Sequence, residues 1–70
     1  MKKYECVMEN EKKFILIHVR AENESDAYIR FCELKYALAM LEEFRIIELV
    51  ETTEQGIFPS YAKIIRVREK

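Results

Sequence analysis

The side chains able to do chemistry are few: one imidazole (His18), two thiols (Cys6 and Cys32) and thirteen carboxylates. His18 lies in FILIHVRA, residues 14 to 21, on the Phe14/Leu16 face of a strand pattern. At that position a half-buried strand histidine is favoured over a catalyst. No Ser or Cys motif gives it a neighbour in sequence, which leaves a spatial pairing with Cys6 or Cys32 as its one nucleophile–base arrangement. The thiols have no CxxC spacing and read as buried thiols of a reducing compartment rather than as a disulfide. One histidine and two distant thiols argue against structural zinc. Paired carboxylates occur as Glu42–Glu43 and Glu5–Glu9, but adjacent acids on a helix project about 100° apart, and LEE reads as a solvated helix end. A single glycine leaves no room for a glycine-rich phosphate loop. The expectation is a non-enzymatic chain without metal or cofactor.

Charge offers a second kind of chemistry. Net charge is −1, but its distribution is uneven. Residues 22 to 54 hold nine acids and three bases, and the bases collect at the two ends. Lys63, Arg66, Arg68 and Lys70 on the last strand, with Lys2 and Lys3 if the termini are neighbours, make a basic edge with Tyr4 and Tyr61. A sheet of that kind can bind nucleic acid. Against this, the aromatics and bases are not interleaved in a recognised motif, and basic strand ends also discourage edge pairing. The acidic middle is too sparse to mimic nucleic acid. Nucleic-acid binding is therefore the alternative reading.

These side chains are carried by elements that the hydrophobic period makes legible. YECVMEN (4–10) alternates as a half-buried strand, ENEK (9–12) is a polar turn, and FILIHVRA is apolar on both faces, as a central or doubly covered strand should be. ENES starts a helix. Asn23 followed by Asp26 has capping-box spacing, with Ser25 an equally good cap, and Glu22, Glu24 and Asp26 suit the positive end of the helix dipole. The helix AYIRFCELKYALAMLEE ends near Glu43 or Phe44, because FRIIELVE scatters its apolar residues as a helix but makes a mostly buried strand. TTEQGIFPS (52–60) is the only proper loop, and YAKIIRVREK is the last strand. Residues 1–70 thus form a single α+β domain, β-β-α-β-β, with one helix packed on a four-stranded mixed sheet. The apolar second strand favours the order 1-2-3-4; a ferredoxin-like arrangement would insert strand one between two and three. No apolar run reaches the ~18 residues of a membrane span, and with no signal-peptide pattern the expected location is cytoplasmic.

The helix has two apolar sides. Ala27, Phe31, Leu34, Leu38 and Leu41 fall within about 80° on the wheel and are expected to face the sheet. Opposite them fall Ile29, Cys32, Tyr36 and Met40, with Arg30 and Glu33 along one border. Small proteins leave some apolar side chains exposed, but four at helical spacing suggest a second burial surface. Each would contribute about 1.5–3 kcal/mol on burial, while association costs about 4–15 kcal/mol. The stripe could therefore hold a two-fold dimer. Interface residues are expected at Ile29, Cys32, Tyr36 and Met40, with Arg30 and Glu33 at the rim.

KKFILIHVRAENESDAYIRF followed by FRIIELVE resembles a pattern common in small phage proteins, among them an inhibitor of bacterial RNA polymerase. The likeness covers roughly residues 13 to 50 and consists of a hairpin, a strand ending in Ala-Glu, a polar cap, one helix and a returning strand. It implies a small regulator that contacts a host protein, and it carries over no site residue. The reading from sequence is a small protein-interaction module, partnered by itself or by a host protein.

Overall fold

The computed structural model describes residues 1–70. Four strands and one helix follow in the order β1 (Lys2–Glu9), β2 (Lys13–Ala21), α1 (Glu24–Ala39), β3 (Arg45–Thr52) and β4 (Lys63–Glu69). The α+β class and the element order are those expected. The sheet differs in two respects: its order is β3-β1-β2-β4, and every neighbouring pair is antiparallel. The order 1-2-3-4 favoured by the apolar second strand and the mixed sheet are therefore corrected, and the alternative that inserts strand one between two and three is the one found. β2 and β3 do run in the same direction, but β1 lies between them, antiparallel to both, so no parallel pair forms.

Alternation explains which face is buried. Tyr4, Cys6 and Met8 of β1 sit opposite Val19, Ile17 and Ile15 of β2, and all six are buried. With Ala21, Ala27, Phe31 and Phe44 they form the core. The helix lies across this face, closest to β2. Leu34 and Leu38 pack against the core from the helix, and Ile46, Leu49 and Ile64 from the outer strands. Being edge strands, β3 and β4 are largely exposed, so β3 is not the mostly buried run expected of FRIIELVE. Each is bent by one surplus residue. Val7 faces Glu48 and Met8 faces Ile46, leaving Ile47 without a partner on β1. Leu16 faces Arg66 and Ile17 faces Ile64, leaving Ile65 likewise.

Asn23 caps the helix, its side chain accepting from the Asp26 backbone N–H at 2.9 Å. Asp26 reciprocates one residue further out, its Oδ2 accepting from the Glu22 N–H at 3.1 Å. Together they satisfy two backbone donors outside the helical ladder. The helix stops at Ala39, earlier than the expected Glu43. The N–H groups of Leu41 and Glu42 both donate to the Leu38 carbonyl at 2.9 Å. That closing turn swings Phe44 back to seal the end of the core, 6% exposed. Leu41 falls in the turn and is exposed rather than buried on the sheet.

Candidate functional site

Two surfaces carry the candidate residues, one on each side of the sheet. On the outer face of α1, Ile29, Tyr36 and Met40 are 58%, 75% and 88% exposed. Cys32 is half-buried and sits on the flank of the helix toward β1. There its thiol neighbours Tyr28 one helical turn earlier and raises the Tyr28 hydroxyl above its ordinary pKa. Cys32 also neighbours Cys6, whose thiol is pushed up to about 12, first by burial and then by the nearby Cys32 and Glu48. Both cysteines are free thiols. Of the two border charges, Arg30 is engaged: its Nε donates to Asp26 at 3.3 Å, and its Nη1 donates to the Ser60 carbonyl. Glu33 is exposed and makes no ion pair.

The other side of the sheet is not covered by the helix. The strand registers place Lys3, Glu5, Val7 and Glu9 beside Arg20, His18, Leu16 and Phe14 there. Lys63, Arg66 and Arg68 continue the rows from His18, Leu16 and Phe14; none of these three makes an ion pair. Lys70 is held by Glu9 at 3.0 Å and lies 4.9 Å above the Phe14 ring. Lys3 faces the same side and donates to the Glu54 carbonyl at 3.3 Å. Lys2 points the other way, toward the helix side, and pairs loosely with Glu51 at 3.8 Å. Four of the six candidate bases thus share the open face with Lys70 beside them, and acids are interspersed.

His18 is the buried centre of this face. The connection from β3 to β4 crosses it: Phe58 stacks on the imidazole with centroids 4.1 Å apart and planes 6° apart. The Ile57 carbonyl meets Nδ1 at 3.1 Å, and Glu5 Oε2 meets Nε2 at 3.3 Å. The Lys3 ammonium lies 5.5 Å from the Phe58 ring centre, and the Arg20 N–H donates to the Pro59 carbonyl at 2.7 Å. Gly56, with φ +138°, supplies the turn that lets the connection fold down. The pairing of His18 with a thiol is excluded by this geometry. Cys6 faces the helix, and His18 faces away from it. Part of the open face is therefore covered by the chain itself, through residues that periodicity does not mark. Phe58 and Glu54 lie in the loop; the only signal for them was an apolar pair, Ile57-Phe58, framed by Gly56 and Pro59.

The carboxylates singled out by sequence have structural partners. Glu9 accepts from Arg45 at 2.7 Å and pairs with Lys70, and these contacts, Arg45 first, hold its carboxyl below the ordinary range. Glu42 pairs with Lys13 at 2.8 Å and accepts from Asn10 at 3.2 Å, and it too is lowered, chiefly by Lys13. Glu5 faces His18 instead of Glu9. No helix of the structure is long and apolar enough to cross a membrane. Compared with family models, with curated proteins and with solved structures, the chain has no match.

Proposed function

We propose that the protein is a small non-enzymatic interaction module that works by protein–protein contact through the outer face of α1, with a second copy of itself as first partner. The observation that carries this reading is the exposure of Ile29, Tyr36 and Met40 along one helix face. An antiparallel two-fold pairing of helices would set Ile29 of one copy against Met40 of the other, with Tyr36 near the axis. Three side chains on each of two copies contribute about 9–18 kcal/mol gross on burial, enough to offset an association cost of about 4–15 kcal/mol. Cys32 contributes less, being already half-buried, and Glu33 is the free rim charge. The two free thiols suit a reducing compartment, the cytoplasm. A small regulator of the phage type, docking on a host protein by the same face, is the form of this function that the resemblance suggests.

Light scattering across a tenfold concentration range tests the reading. The wild type is expected at twice the chain mass, and Tyr36→Lys and Met40→Glu as folded monomers. Wild-type monomer throughout, or variants that assemble as the wild type does, would reject this interface.

A second reading has its own observation: Lys63, Arg66 and Arg68 stand in a row on the open face, beside Phe14 and without ion pairs. If they bind nucleic acid, an oligonucleotide should bind at ~50 mM salt and be released steeply by ~200 mM. Indifference at ~50 mM removes this alternative.

A further inference from the structure

We propose that Glu5, His18 and Glu54 form a site for one divalent transition-metal ion of the zinc class, between the open face of the sheet and the β3–β4 connection. One ligand atom from each residue lies within 4.8 Å of the other two. His18 is only 5% exposed, and its ring is held by the Phe58 stack. Its Nδ1 meets a backbone carbonyl, which can only accept, so Nδ1 carries a proton and Nε2 is the ring nitrogen whose lone pair a metal can take. That lone pair faces a carboxylate oxygen of Glu5 at 3.3 Å.

Two acceptors held face to face need a cation between them, either a proton on Nε2 or a metal ion. The spacing suits the metal. Nitrogen and oxygen ligands at about 2.0–2.2 Å from zinc stand about 3.3–3.6 Å apart along a tetrahedral edge. The hydrogen bond from the far ring nitrogen to a carbonyl is also the contact that orients metal-binding histidines and fixes their tautomer. Glu54 is exposed and on the connection, and its carboxylate oxygen already lies within 4.8 Å of the ligand atoms of Glu5 and His18, as a third ligand should. Two carboxylates balance the charge of a dication. The opposing cations are Lys3, seated on the Glu54 carbonyl, and Lys63, opposite His18 in register; neither contacts a ligand carboxylate. Three protein ligands leave one position for water or for a donor group of a bound molecule. The ion would tie β1, β2 and the start of the connection together. The site is remote from the outer helix face, and it stands or falls independently of the dimer.

Calorimetric titration of the purified chain with Zn²⁺ alone tests this. The expected result is saturable binding of one ion per chain, weakened at least tenfold in E54Q and in E5Q. A visible absorption band of bound Co²⁺ should appear in the wild type and be lost in E54Q. Because Glu54 is exposed, E54Q keeps the fold even if His18→Gln does not, and it decides the matter. No saturable binding overturns the proposal. So does wild-type affinity in E54Q and E5Q with loss in Cys32→Ser, which would put the ion on the thiols.

Discussion

Truncating Phe58 to alanine measures how firmly the β3–β4 connection is bound to the sheet. The ring is 6% exposed although it belongs to a loop, and it is the one residue of that connection counted among the buried. A buried Phe→Ala change costs about 3–5 kcal/mol, the spread reflecting how well the site collapses. The lower end applies here, because the site opens toward exposed Glu54 and water can enter the space. An expected loss of about 3 kcal/mol therefore includes the roughly 0.5–1.5 kcal/mol of the His18 stack. For a domain of this size each kcal/mol moves Tm by about 4–8 °C, so the midpoint should fall by about 12–24 °C. Total stability for seventy residues is on the order of 4–10 kcal/mol, so the variant folds but with little margin. Urea unfolding at fixed pH supplies the assay, with Ile57→Ala as control; that neighbour is 60% exposed and should change stability by no more than about 0.5 kcal/mol. A loss under about 1 kcal/mol for Phe58→Ala would refute the packing argument, since a buried aromatic ring must cost more than the average point substitution.

Acid should weaken the fold through Glu9 and Glu42. Both carboxyls lie below their ordinary 4.5 when folded, so their contribution is complete above that value and is lost as pH falls through the folded one. The urea midpoint should drop on acidification below pH 4.5, less so in the Glu9→Gln/Glu42→Gln double variant; equal acid slopes would refute the assignment. Thiol labelling should be ordered as well. The thiolate is the nucleophile, and burial pushes Cys6 up to about 12. Iodoacetamide at about pH 8 should therefore take Cys32 first and reach Cys6 only on unfolding, and equal rates in the native protein would show that Cys6 is not shielded.

Much of this architecture was legible in the sequence, and the failures have physical causes. The alternation of Tyr4, Cys6 and Met8 marks a buried face, and Asn23 with Asp26 marks the start of the helix. Alternation says which face of a strand is covered, however, and nothing about which strands lie at its sides. That is why alternation alone leaves β1 open between the edge and the centre, and the pairing puts it at the centre. FRIIELVE reads as buried because it carries the β-branched Ile46, Ile47 and Val50, yet β-branched residues suit an exposed edge strand equally well. The helix end was misplaced because no glycine announces it; the need to bury Phe44 decides it. Ile29, Tyr36 and Met40 were readable by period alone. Cys32 fell on the same side of the wheel, but its place on the flank depends on where the helix lies over β1. The cluster around His18 was not readable, because Glu54 and Phe58 reach it across a loop whose path no periodicity describes.

The strand order also sets a sequence of events in folding. The two inner strands are the two nearest in the chain, so Glu9 finds Phe14 across a short turn. Arg45 must reach Glu9 across the whole helical segment, and Glu69 must reach Lys13 across a longer stretch still. Loop-closure entropy rises with the length of chain to be closed, and a chain emerging from its N-terminus presents the inner hairpin first. The edges are thus the last parts to form and the first to open. In hydrogen exchange, the amides shared by β1 and β2 should be the slowest, and those of β4 should exchange through openings that leave the hairpin and helix in place. Such a partly opened state exposes the open face and frees the connection that crosses it, while the outer face of the helix stays as it was.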